Sequence, residues 1–242
     1  MQSFGLTSLM RLIYPPACVA CDAVVAQDNA LCGACWAQMP FVNGMVCEGC
    51  GVPLVGEARA GDLCDACLQT PRNWGRGRAA LVYRDLGRQM VLRLKHGDRM
   101  DLAVPAGVWL TRAAKPLIRP DTLVAPVPLH WVRFAQRGYN QSALLAQQVA
   151  RLEAAQFCPD LLQRPRATAV MHGMSAQDRF TNVSGAFIAH PKRKALLKGR
   201  SVLLVDDVLT SGATLEAATQ VCLEGGAARV DIVVLARVAK DA

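Results

Sequence analysis

The chain has 242 residues, ten of them cysteine, with 52% hydrophobic residues and a net charge of +8. That length supports one or two domains with a sizeable core. No apolar run approaches the roughly 18 residues of a transmembrane helix, and the first residues lack the basic start and cleavage site of a signal peptide, so a cytoplasmic protein without a membrane span is expected.

Leu6, Leu9, Met10 and Ile13 share one helical face, and Pro15-Pro16 stops it, which predicts a short packing helix. Four CxxC pairs follow: Cys18/Cys21, Cys32/Cys35, Cys47/Cys50 and Cys64/Cys67. A CxxC turn aims two thiolates at one ion, so two such knuckles complete a tetrahedral zinc site. A disulfide framework needs export, and a thioredoxin-like redox pair is a single CxxC on a βαβ unit. The spacing therefore predicts two structural Zn2+ sites. Sequential and interleaved pairing of the knuckles both remain open, because the gaps between them are similar. Apolar residues here are sparse (Leu31, Trp36, Phe41, Val46, Leu54, Leu63), so the segment depends on metal for its fold.

Charge divides the chain near residue 70. Residues 1–70 carry two basic residues against six acidic ones, a net −4, whereas the remainder carries 25 against 13, a net +12. Two units are expected: 1–70, an N-terminal helix with a double zinc-ribbon module, and 71–242, a larger α/β domain. Just past the boundary, Arg72, Arg76, Arg78, Arg84, Arg88, Arg93, Lys95 and Arg99 form a basic tract. It reads either as a solvated face or as an electrostatic footprint for phosphates, of a small ligand or of nucleic acid. Trp74, Tyr83 and Trp109 are too scattered to form a stacking surface for single strands.

Strands and helices then alternate. Ala79–Tyr83 reads as a strand; Leu86, Met90 and Leu94 mark a helix face, with Arg88 and Lys95 elsewhere on its surface. Asp101–Ala114 is a helix and Leu123–Val127 a strand. Gln141–Arg151 is a helix capped by Asn140. Val183–Ala189 and Val202–Val205 are strands, Ala213–Glu224 is a helix ended by Gly225-Gly226, and Val230–Leu235 is the last strand. The alternation argues for a parallel sheet with both faces covered.

The densest functional signal is Ser201-Val-Leu-Leu-Val-Asp-Asp-Val-Leu-Thr-Ser-Gly-Ala-Thr214. An apolar strand ends in two carboxylates, then a loop of small hydroxyl residues opens a helix. Ligands of open α/β sheets bind at such strand ends, and a helix N-terminus favours an anion. Asp206 and Asp207 suit neighbouring ribose hydroxyls, while Thr210, Ser211, Gly212, Ala213 and Thr214 suit a phosphate. The pattern is neither a Walker A loop nor a dinucleotide fingerprint.

This stretch resembles the phosphoribosyl pyrophosphate (PRPP) motif of type I phosphoribosyltransferases. The resemblance implies that Asp206 and Asp207 hold the ribose and that Thr210 to Thr214 hold the 5-phosphate. The order of four CxxC knuckles, Leu94-Lys95-His96-Gly97, Val124-Ala-Pro-Val-Pro-Leu129, Arg137-Gly-Tyr-Asn-Gln141 and the PRPP motif is similar to the ComF family over nearly the whole chain. That similarity implies an α/β, parallel-sheet type I phosphoribosyltransferase-like domain preceded by a small four-cysteine zinc-ribbon module, with Mg2+ accompanying PRPP. It further implies diphosphate contacts from Val127, Pro128 and Leu129, with Arg133 and Arg137 beyond them, Arg137 lying at a helix start. Arg164 to Asn182, with Arg164, Arg166, Thr168 and Arg179, corresponds to the hood that closes over substrate, and Ser175-Ala-Gln-Asp178 has the shape of a capping box.

One departure stands out. Relatives read Arg-x-Thr-x-x-Gln and then Gly-Leu-Ser, whereas here Met171 occupies the Gln position before His172-Gly-Met-Ser175. The expected activity is transfer of ribose 5-phosphate from PRPP to an unidentified acceptor. The alternative is a non-catalytic protein of DNA uptake that associates with single-stranded DNA and uses the pocket to sense PRPP or a related ribose phosphate. No residue stands out as a general base.

Overall fold

The computed structural model describes residues 11, 14–56, 61–96, 99–168 and 175–239. The strands are β1 (Gly77–Val82), β2 (Leu123–Pro126), β3 (Gln156–Phe157), β4 (Leu162–Gln163), β5 (Ile188–Ala189), β6 (Ser201–Leu209) and β7 (Arg229–Arg237). The helices are α1 (Gly33–Gln38), α2 (Asp65–Gln69), α3 (Asp85–His96), α4 (Ala103–Ala114), α5 (Trp131–Arg137), α6 (Gln141–Leu152), α7 (Ala176–Val183) and α8 (Ala213–Glu224).

Five strands form one parallel sheet in the order β1-β7-β6-β2-β3. The apolar runs of β6 and β7 are buried because they lie inside the sheet with a cover on each face. Each large side chain so buried contributes about 1.5–3 kcal/mol. On one face, Leu203, Val205, Val233 and Leu235 pack against Met90, Leu94, Leu110, Leu145 and Val149 of α3, α4 and α6. On the other, Val202, Leu204, Ile232 and Val234 pack against Leu215, Ala218 and Cys222 of α8 and Phe187, just before β5. Helix α6 begins where expected, since the Asn140 side chain accepts the Ser142 N–H at 3.0 Å.

The cysteine-rich segment covers the outer edge of β1, which would otherwise offer unpaired backbone groups. Val42 N–H donates to Ala80 O at 2.9 Å, Val82 N–H to Pro40 O at 2.8 Å and Gly77 N–H to Glu48 O at 2.8 Å. Glu48 pairs with Arg76 at 2.6 Å and Arg78 at 2.5 Å. The approach is so close that a Cβ on Gly51, at φ +70°, would stand 2.7 Å from Ala79 N. The segment straddles the sheet edge: Cys18 and Cys35 join the first core, Cys47, Cys50 and Cys67 the second.

Several expectations change. The strand expected at Val183–Ala189 forms only at its end. The Ser175 cap accepts Asp178 N–H at 3.1 Å and starts α7, which runs through Val183; only Ile188–Ala189 is extended, antiparallel to β4 and outside the main sheet. Strand β6 runs on to Leu209, so Asp206 and Asp207 lie within it rather than at its tip. The expected helix at 6–13, apart from residue 11, and Gly97, Met171 and His172 lie outside the described residues. Among the described residues no helix is long and apolar enough to cross a membrane.

Candidate functional site

The knuckles pair sequentially. Cys18, Cys21, Cys32 and Cys35 form one group and Cys47, Cys50, Cys64 and Cys67 another, the sulfurs of each within 4.8 Å of one another. Backbone N–H groups point at the sulfurs, Cys32 to Cys18 at 3.2 Å and Cys64 to Cys47 at 3.3 Å. Such bonds stabilise thiolates, and four thiolates at this separation fit tetrahedral zinc. Cys158 and Cys222 stand outside both groups.

At the carboxyl end of the sheet, Asp206 and Asp207 differ in their surroundings. Asp207 is buried, its Oδ1 paired with Lys95 Nζ at 2.8 Å and its Oδ2 accepting Gln141 Nε2 at 2.5 Å. Asp206 is half-buried and lines the concavity of the following loop. Its Oδ1 accepts the Ser142 hydroxyl and the Asp207 N–H, each at 2.9 Å. Burial, with the neighbouring Asp207 charge, pushes the Asp206 carboxyl up to about 7.

The loop itself runs from Leu209 to Leu215, and Thr210, Ser211, Gly212, Ala213 and Thr214 line its concavity together with Asp206. Gly212 at φ +96° caps α8, so backbone N–H groups of the helix mouth face the same hollow. The arrangement offers an anion site one step from a carboxylate.

The predicted cations are distributed unequally. Lys95, expected on the surface of its helix, instead closes on Asp207. Arg137 ends α5 instead of starting a helix; it donates to Gln141 Oε1 at 3.2 Å and so touches the acid pair at one remove. Val127 gives its N–H to Val205 O at 2.9 Å and Pro128 has none, so neither offers a free backbone donor. Arg133, half-buried on α5, lies within electrostatic range of Arg164. Arg164 is 7% exposed, stacks over Phe187 at 5.1 Å and donates to Thr168 at 2.5 Å. Burial, then the charge of Arg133, lowers it to about 10 despite attraction from Asp206. Arg166 instead binds the carbonyls of Asn182 and Ser184, and Arg179 on α7 keeps a buried Nε without a partner among the described residues.

The basic tract is largely internal. Arg72 pairs with Glu216, Arg76 and Arg78 with Glu48, Lys95 with Asp207 and Arg99 with Asp101, while Arg93 donates to Ala20 O. Arg84 and Arg88 remain exposed. The tract is therefore neither a simple solvated face nor a continuous footprint. Sequence reading missed Gln141 and Ser142 as partners of the acids; their place directly after the Asn140 cap, at the mouth of α6, was the available signal.

The double zinc ribbon domain family matches residues 9–68, and the phosphoribosyl transferase domain family matches residues 141–242. DNA utilization protein YhgH of Escherichia coli K12 is 31% identical over 233 residues, covering 93% of this chain and 99% of that protein. Competence protein F of Haemophilus influenzae is 31% identical over 216 residues, covering 86% and 91%. Competence protein ComFC of Bacillus subtilis is 24% identical over 229 residues, covering 87% and 90%.

Proposed function

The chain belongs to the ComF family, and from that premise we propose that the hollow between Asp206 and the Thr210–Thr214 loop binds PRPP with Mg2+ and that the protein transfers its ribose 5-phosphate to an acceptor. The observation that carries this reading is one carboxylate and one helix mouth lining a single concavity. The loop takes the 5-phosphate through backbone N–H groups and the hydroxyls of Thr210, Ser211 and Thr214. Asp206 accepts a ribose hydroxyl, since its protein bonds fall on Oδ1 and leave Oδ2 for the ligand. Asp207 is held by Lys95 and Gln141, and acts mainly by fixing the strand end beside the ribose. Arg164 and Arg133 supply positive charge for the diphosphate leaving group, which Mg2+ also neutralises.

The test is a thermal melt with PRPP and Mg2+. Ligand at about 100 times its dissociation constant adds roughly 2.7 kcal/mol. Asp206→Asn removes most of the shift, and an undiminished shift in that variant refutes the ribose assignment. Pyrophosphate release, screened over nucleobases and amines, then tests turnover.

A second reading draws on helix α5. Trp131 and Phe134 are 69% and 50% exposed on either side of Arg133, an aromatic and basic surface that suits stacking of single-stranded bases. On this reading the protein is a non-catalytic partner of DNA uptake that senses PRPP. Salt-sensitive single-strand binding lost in Trp131→Ala, with no pyrophosphate released for any acceptor, supports it over the first.

A further inference from the structure

The loop Leu209–Leu215 is held from behind by two arginines. Arg237 Nη1 donates to Leu209 O at 3.0 Å and Thr210 O at 2.9 Å, and Arg72 Nη1 donates to Ser211 O at 2.8 Å. In a trans peptide the carbonyl and the following N–H point in opposite directions. Three carbonyls drawn backward therefore turn the N–H groups of Thr210, Ser211 and Gly212 forward, the arrangement of an anion nest.

Both arginines reach the second cysteine cluster and not the first. Arg72 lies beside Cys67 and Arg237 beside Cys50. Each is buried and keeps an Nε without a partner among the described residues. A tryptophan reinforces the link. Trp74 donates its indole N–H to Gly49 O, inside the third knuckle, at 2.6 Å, and the Arg72 guanidinium stacks over its ring at 5.3 Å. The loop rests on both: a Cβ on Gly212 would stand 2.8 Å from Arg72 Nη1 and 3.0 Å from Trp74 Cη2. Four thiolates on a divalent ion leave net negative charge, which adds to the pull of Glu216 on Arg72 and of the Leu209, Thr210 and Val238 carbonyls on Arg237.

We infer that the second metal centre is part of the loop's support, with Arg72, Trp74 and Arg237 as positioning residues that transmit its presence to the backbone of Leu209–Gly212, whereas the first centre serves the fold alone. The coupling does not depend on what the loop binds. Losing metal from Cys47, Cys50, Cys64 and Cys67 frees the third knuckle, and with it Gly49 O, the anchor of the Trp74 ring on which Arg72 and Gly212 rest.

The test is amide exchange, read by mass spectrometry on residues 209–215 of the zinc-loaded full-length protein without ligand. Cys67→Ser is expected to speed exchange there about tenfold, while Cys35→Ser in the first cluster leaves it unchanged. Arg72→Met, which leaves both clusters intact, reproduces the acceleration with both ions retained, and Trp74→Phe does so to a smaller degree. This keeps the test decisive if Cys67→Ser fails to fold. Unchanged exchange in Arg72→Met, or equal acceleration in Cys35→Ser, overturns the inference.

Discussion

The cysteine-rich segment and the sheet domain hold their shape by different means. In the first, the buried residues are chiefly the cysteines themselves, with Val19, Ala20 and Met39. Its Phe41 leans outward onto the sheet domain, packing edge-on against Trp109 at 5.4 Å. In the second, leucines and valines of β1, β2, β6 and β7 are buried on both faces, and α4, α6 and α8 seal them in. A segment of this size has too little apolar surface to offset its chain entropy, so ligation replaces a core. It also covers the open edge of β1, so the two regions share their stability at that border.

The comparison can be broken most directly by stripping metal. Zinc contributes on the order of 10 kcal/mol per site in zinc-finger peptides. A strong chelator should therefore abolish exchange protection in residues 14–68 while β2 and β6 stay protected. Simultaneous loss in both regions would make the chain one cooperative unit and end the distinction. Next in size is the Lys95 contact. Lys95→Met leaves Asp207 buried without its counter-charge and should cost about 3 kcal/mol in urea unfolding. Adding Asp207→Asn should restore most of it; no recovery would mean that Lys95 acts through packing alone.

A smaller effect follows from Asp206, whose folded pKa of about 7 lies above its unfolded value. Its contribution to stability is therefore fully present below about pH 4 and is lost as pH rises through about 7. Asp206→Asn should raise the melting temperature at pH 8 and leave it nearly unchanged at pH 4. Because the ionised form accepts a ligand hydroxyl, PRPP should bind about tenfold more tightly at pH 8 than at pH 6 through this group. A pH step of equal size in Asp206→Asn would assign it to the ligand instead. Smallest is the α6 cap: Asn140→Ala should cost about 1 kcal/mol of stability, measured by denaturant midpoint.

Much of the sheet domain was legible because its signals are local. The Val202–Val205 run, the Asn140 and Ser175 caps and the Gly225-Gly226 stop each act within a few residues; the helices begin or end where they predict, and β6 starts with the run but continues past it to Leu209. Where local signals conflicted, reading failed. Val183, Phe187 and Ile188 favour a strand by composition, but the Ser175 cap commits the chain to helix through Val183, and Gly185 at φ +65° follows the helix end. The candidate site divides in the same way. Asp206, Asp207 and the Thr210–Thr214 loop adjoin in sequence and could be named from it. Lys95 could not, because it meets Asp207 only when α3 packs across the sheet, and Arg72 meets Ser211 across 139 residues.

The sequence by itself therefore determined the metal-binding residue types, the strand–loop–helix at 201–214 and the alternation that yields a parallel sheet. These rest on short-range geometry, which a chain carries wherever it folds. Only the tertiary structure decided which knuckles share an ion, which acid faces the hollow and which is tied down by Lys95 and Gln141, and that most of the basic tract is paired internally. Those are choices among charged partners far apart in the chain, and burial makes them: a charge removed from water needs a counter-charge, and the packing of the fold dictates which one is in reach.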